Sequence, residues 1–142
     1  MLVRMLYASR AAAPLSSAIV DSILDQSRKN NPPQGITGML CFSEDIFVQA
    51  LEGGRDQVCE LFNTIVCDPR HQGVRLLVYE EIAERRFGGW TMGQVNMTKI
   101  NPALLLKYCE KAELNPFDCS GRASMALLDE LIATASVVSR GS

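Results

Sequence analysis

Histidine is nearly absent from this chain of 142 residues: His71 is the single one. With no Cys/His cluster around it, a structural zinc site has no ligand set to draw on. Cysteine is present but unorganised. Cys41, Cys59, Cys67, Cys109 and Cys119 are odd in number and none has CxxC spacing. That argues against a disulfide framework and for a reducing cytoplasm. Positive charge is scarce: Lys and Arg total 14 against 16 Asp and Glu, a formal net charge of -2. Phosphate neutralisation wants a basic face, so no nucleic-acid partner is expected. No apolar run approaches the roughly eighteen residues of a membrane span, and MLVRMLYASR lacks the features of a secretory signal. GxSxG, Walker A and GxGxxG are all missing. The paired carboxylates Glu80 and Glu81 are adjacent, so on a strand they would face opposite ways. Neither catalysis nor a bound metal is expected.

What is present is globular. Hydrophobic residues make up 47% and charged residues 21%, enough for one core and too little chain for two ordinary domains. Residues 2–8 (LVRMLYA) read as a strand. A helix follows over about 17–29, capped by Ser16 or Ser17, with Ile19, Val20, Ile23 and Leu24 on one face. Pro32 and Pro33 stop it. The apolar runs 36–42 and 46–52 flank Ser43-Glu44-Asp45, a hairpin signature. Residues 55–67 read as a helix, 68–73 as a turn, 74–79 as a strand and 90–95 as a last short strand. This order is α+β and ferredoxin-like, βαββαβ with an additional strand. Two helices, at 102–114 and 121–137, are expected to cap the second face of the sheet. The expected organisation is a domain over 1–97, a two-helix cap over 98–138 and a tail over 139–142.

Some residues fit a plain core poorly. Gln49 shares a strand face with Phe47 and Leu51, and an unpaired buried amide costs roughly 1–3 kcal/mol. Partial exposure or a backbone partner would explain it equally well. Tyr7 ends the first strand and could neighbour Gln49; a core tyrosine bonded to a carbonyl is the commoner case. Asn30 and Asn31 close the first helix, which fits a left-handed C-cap, or an amide that reads an imide edge. Asp68-Pro69-Arg70-His71 is a polar turn, either solvated or at the rim of a ligand. Trp90 and Met92 are expected on one face of the last strand. Arg85-Arg86 reads as a solvated charge pair.

Together these residues resemble the BLUF family, the blue-light sensors that use FAD. The likeness runs through Tyr7, SRKNNPPQGITGMLCFSEDIFVQALEGG, DPRH and ERRFGGWTM, over roughly residues 2–97. It implies a non-covalent FAD whose isoalloxazine lies between the two helices. Asn31, with Asn30 beside it, would hold the pyrimidine edge, Arg70 would approach the C2 carbonyl, and Ile23 would pack on the ring. Asp68 and His71 would meet the ribityl side. Gln49 would bond both the flavin and Tyr7. Where some relatives carry a basic residue late in the second helix, this chain reads Asn63-Thr64-Ile65, leaving more weight on Arg70. The resemblance also implies photochemistry by Tyr7 and Gln49, with Trp90 and Met92 on the signalling strand. It further implies a homo-oligomer and a separate effector protein. The alternatives are a light-independent ferredoxin-like ligand-binding module and a small acylphosphatase-like hydrolase, for which the loop ASRAAAPLSS lacks a Gly-rich cradle.

Overall fold

The structure, a computed structural model, describes residues 1–134 and the backbone of 138–140. Its strands are β1 (Leu2–Ala11), β2 (Thr37–Ser43), β3 (Ile46–Gly54), β4 (His71–Ile82), β5 (Met92–Asn96) and β6 (Val138–Arg140). Its helices are α1 (Ser17–Asn30), α2 (Arg55–Cys67), α3 (Pro102–Tyr108) and α4 (Gly121–Ala133). The sheet order is β4-β1-β3-β2-β5-β6. All neighbours run antiparallel except β2 and β5, which are parallel. The ferredoxin-like βαββαβ order with added strands is therefore what forms.

β1 is buried from Val3 to Ser9 without a break. An alternating strand has one wet face; a continuous apolar run needs cover on both. That cover comes in two layers. Met5, Tyr7, Phe47 and Leu51 face α1 and α2, while Leu6, Ala8, Val48 and Ala50 face α3 and α4. In the cap, Leu105, Leu128 and Leu131 are buried, and Leu104, Tyr108, Met125 and Ile132 pack beside them. At Gly38, β2 lies so close to β3 that a Cβ would come 2.1 Å from the Ala50 carbonyl oxygen.

Several expectations shift. α3 stops at Tyr108 rather than 114, because Cys109 is extended and opens a loop containing Pro116. α4 ends at Ala133; residues 135–137 of the expected helix lie outside the described residues. Val138–Arg140 pair with β5, where a tail from 139 was expected; residues 141–142 lie outside the described residues. β4 runs from His71 to Ile82, longer than 74–79, because pairing with β1 extends through the polar residues at both ends. Asn31 is right-handed helical, at φ -75 and ψ -41, and Gly35, at φ 70, takes the left-handed position in its place. Glycine alone has no Cβ penalty there.

Candidate cofactor site

A cleft opens between α1 and α2 on one face of the sheet. Its floor is Tyr7 and Gln49 from the two central strands; its walls include Ile23 of α1, Asn31 just past the end of that helix, and Leu61 and Ile65 of α2. The 3.6-residue period of α2 points Val58, Leu61, Phe62 and Ile65 inward, but only Val58 is fully buried. The other three stay half-exposed: they pack against the core beneath, Phe62 edge-on to Tyr7 with centroids 5.7 Å apart, and leave part of their apolar surface open to the cleft.

Tyr7 and Gln49 lie directly opposite each other in the β1–β3 register. The Tyr7 hydroxyl donates to Gln49 Oε1, and both side chains are buried. Gln49 Nε2 donates to Met92 Sδ at 3.4 Å. Burial pushes the Tyr7 phenol well above its ordinary value; Asp68 adds to the shift and Arg70 opposes it. Tyr7 is thus a neutral donor at any working pH.

Asn31 is 3% exposed, and its Nδ2 has no hydrogen-bond partner. A buried amide nitrogen left unpaired is costly. It lines the same cleft as Gln49. Asn30 lines the cleft too, but is exposed.

Arg70 sits at the mouth. Its guanidinium pairs with Asp68, Nη2 to Oδ2 at 2.6 Å, and also donates to Gln26 Oε1 on α1 at 2.7 Å. The Arg70 hydrogen bond holds the Asp68 carboxyl below its usual range and raises Arg70 in turn. His71 is not in a turn: it starts β4, and its Nδ1 lies 2.8 Å from Ser9 Oγ. Burial lowers its pKa, opposed by Asp68 and aided by Arg70. Its ring tilts on Phe47 with centroids 5.0 Å apart.

Trp90 and Met92 do not share a face. Trp90 precedes β5 and packs with the cap-side core; Met92 is buried on the cleft side. A strand beginning at Met92, not at 90, breaks the expected alternation. Of the expected residues, Tyr7, Gln49, Met92, Ile23, Asn30, Asn31, Asp68, Arg70 and His71 gather on one side, and Trp90 is left on the other.

Three partners were not singled out from sequence. Ser9 and Gln26 meet His71 and Arg70 only through the fold. Glu52, wholly buried, accepts from Arg4 Nε at 2.7 Å and from the Phe87 and Arg86 backbone at 2.6 and 2.9 Å. The one available signal was a carboxylate at the end of the apolar strand IFVQALEGG. Arg85 and Arg86 belong to the same junction: Arg86 is exposed, as expected of a solvated charge, whereas Arg85 is half-buried. Arg85 donates to Thr37 Oγ1 at 2.9 Å, and Arg86 pairs with Asp129 of α4 at 2.9 Å.

The family model for BLUF, sensors of blue light using FAD, matches residues 2–93. The chain belongs to the BLUF family. Photoactivated adenylate cyclase subunit beta of Euglena gracilis is 35% identical over 92 residues, 64% of this chain and 11% of that protein. The chain therefore spans about a tenth of this curated relative. Among solved structures, BlrB, a BLUF protein in its dark state, is 36% identical with a TM-score of 0.76, over 94% of this chain and 96% of that one. BlsA in its photo-activated state is 28% identical with a TM-score of 0.78, over 93% and 95%. As a BLUF protein the chain is a blue-light sensor, and FAD is its cofactor.

The BLUF cleft fits a flavin on its own chemistry. A flat apolar ring with a polar imide edge needs apolar walls and a few placed amides. Half-exposed Leu61, Phe62 and Ile65 supply the wall, and the orphaned Asn31 Nδ2 is a donor for the edge.

Proposed function

We propose that Asn31 and Arg70 hold the polar edge of FAD, that Ile23 and Ile65 pack on its ring, and that Tyr7 and Gln49 carry the photochemistry. The observation behind this is the buried chain Tyr7 Oη–H to Gln49 Oε1 and Gln49 Nε2–H to Met92 Sδ, laid along the floor of the cleft. Asn30, Asp68 and His71 complete the rim.

Bound FAD supplies blue-light absorption and an excited ring able to accept an electron. Tyr7 is a neutral phenol in a dry site, and its proton already points at Gln49. Were Tyr7 to lose an electron to the bound ring, the phenol would become strongly acidic and its proton would pass along that bond to Gln49 Oε1; return of both would restore the neutral phenol. If the Gln49 amide turns over, its N–H faces the Tyr7 oxygen and its carbonyl faces Met92 Sδ. A thioether sulfur cannot donate, so the Met92 bond is lost. Amide orientation is thereby linked to β5, the strand that carries Met92. Such a local rearrangement matters only if it biases a larger element. The cap that follows β5, with α3 and α4, is that element.

In this reading the chain senses light and leaves catalysis to a separate effector. The Euglena relative is named as a photoactivated adenylate cyclase subunit; the effector proposed for this sensor is a separate protein, and the sensor is a homo-oligomer in the cytoplasm. Five free thiols suit that compartment.

The test is spectroscopic. Purified protein should be yellow and should shift reversibly to the red under blue light. Gln49→Leu should keep the flavin and lose the shift. A Gln49→Leu protein with an unchanged difference spectrum would remove Gln49 from the mechanism; a protein that takes up no flavin would remove the site.

A further inference from the structure

The cap contains a second chemically distinct feature, unrelated to the cleft. Cys109 closes α3 and Cys119 sits two residues before the start of α4. The loop between them folds back, so both cysteines line one small apolar cavity with Tyr108 and buried Pro116. Cys119 Sγ donates to the Tyr108 carbonyl oxygen at 3.7 Å, the carbonyl bonded to the Cys109 nitrogen. The loop is held in this form by Asn115 Nδ2 donating to Asp118 Oδ2 at 2.8 Å and by the Asp118 backbone amide on the Asn115 carbonyl at 3.3 Å. Both cysteines are free and half-buried.

We infer that Cys109 and Cys119 form a redox-active dithiol, closed to an intramolecular disulfide by hydrogen peroxide. The inference does not depend on the flavin reading.

The two thiols have different access. Cys119 also lines a second hollow on the outer side, beside Glu110, Lys111 and Asp118, which Cys109 does not reach. Cys119 is therefore the attacking sulfur. Its proton passes to water, and the thiolate attacks one peroxide oxygen. The O–O bond breaks and hydroxide leaves, taking up a proton as water. Cys119 is then a sulfenic acid. The Cys109 sulfur attacks it, forms the S–S bond and displaces hydroxide, which leaves as water with the Cys109 proton. Two thiols and one peroxide become one disulfide and two waters.

Burial, Cys109 and the nearby Glu110 and Asp118 push the Cys119 thiol up to about 11. Only a small thiolate fraction exists at neutral pH, so closure is slow there. It should accelerate about tenfold per pH unit between pH 7 and 9. Cys41, which lines the same cavity from β2, is fully buried and pushed up to about 12, so it stays reduced. The disulfide would tie the α3 end to the α4 start, where Gly121 lies against the Leu77 carbonyl of β4.

The test uses the full-length protein as purified, kept in the dark. After peroxide treatment it is denatured in N-ethylmaleimide, and intact mass and peptides are measured. The monomer should lose two hydrogens, about 2 Da, and two of its five maleimide sites. Peptide mapping should place the link at Cys109–Cys119, and reductant should restore all five sites. Cys67→Ser, which removes the exposed thiol, should leave this result intact. Cys109→Ser should let Cys119 accumulate as oxygen adducts instead. A link through Cys41 would overturn the proposal. So would full alkylation of both cysteines at a peroxide dose that oxidises Cys67, or a closure rate that does not rise with pH.

Discussion

Glu52→Gln tests whether one buried carboxylate holds the junction between sheet and cap. Glu52 is 0% exposed and takes four short contacts: Arg4 Nε at 2.7 Å, the Phe87 amide at 2.6 Å, and the Arg86 amide at 2.9 and 3.1 Å to its two oxygens. Glutamine keeps the shape and one oxygen. Its NH2 group must face an N–H donor, and Arg4 loses its buried counter-charge. Breaking a buried ion pair from one side costs about 3–5 kcal/mol. Arg4 retains Glu80 at 2.7 Å, but that carboxylate is half-exposed and screened. The lower end applies: about 3 kcal/mol, or a fall in Tm of about 6–12 °C for a chain of this size. Urea unfolding should show a lower midpoint at unchanged slope. Hydrogen exchange should show lost protection at the Arg86 and Phe87 amides. A control, Arg55→Ala, breaks the surface pair with Glu81 and should cost less than about 1 kcal/mol. A Glu52→Gln loss below about 1 kcal/mol, with both amides still protected, would refute the assignment of Glu52 as the tie.

Tyr7→Phe should bind flavin and fail to form a stable red-shifted state, because ring packing survives and the phenol does not; a normal light-minus-dark spectrum would contradict it. Asn31→Ala should weaken flavin binding roughly two- to thirteenfold, one hydrogen bond of about 0.5–1.5 kcal/mol, read by titration of released flavin fluorescence on dilution. For His71 the sign is fixed by burial, which lowers its folded pKa below the ordinary 6.5. The unfolded chain then protonates first as the pH falls, so stability present above 6.5 is lost on the way down to the folded value. Asp68, held low by Arg70, adds a further loss below its ordinary 3.8. His71→Gln should flatten urea midpoints between pH 7 and 5, and an unchanged slope would show that His71 does not set it. Hydrogen exchange compared between darkness and blue light should change over residues 90–133 and little in α1; identical exchange in a protein whose spectrum shifts would leave the cap passive.

Local chemistry determined most of the element order. Apolar runs placed the first three strands, the second preceded by Gly35 and the third followed by Gly53, and a 3.6-residue period placed α1 and α2. The ordered run of Asn31, Gln49 and the LEG segment carried the family, because many fixed spacings coincide rarely. Partnerships across the fold were not legible. Nothing in the chain ties Ser9 to His71, 62 residues away, or Glu52 to the Phe87 amide, 35 residues away. Those pairs exist only once β1, β3 and β4 lie side by side. The side taken by Trp90 was equally undetermined: strand alternation gives relative faces only if both residues lie in the strand, and β5 starts at Met92. Pairing with β2 from Gly93 on and with β6 at Met92 sets the strand, which places the sulfur of Met92 against Gln49 and the indole of Trp90 against the cap. A sequence fixes which residues are apolar and how they repeat; which polar atoms meet is decided by register, a property of the sheet as a whole.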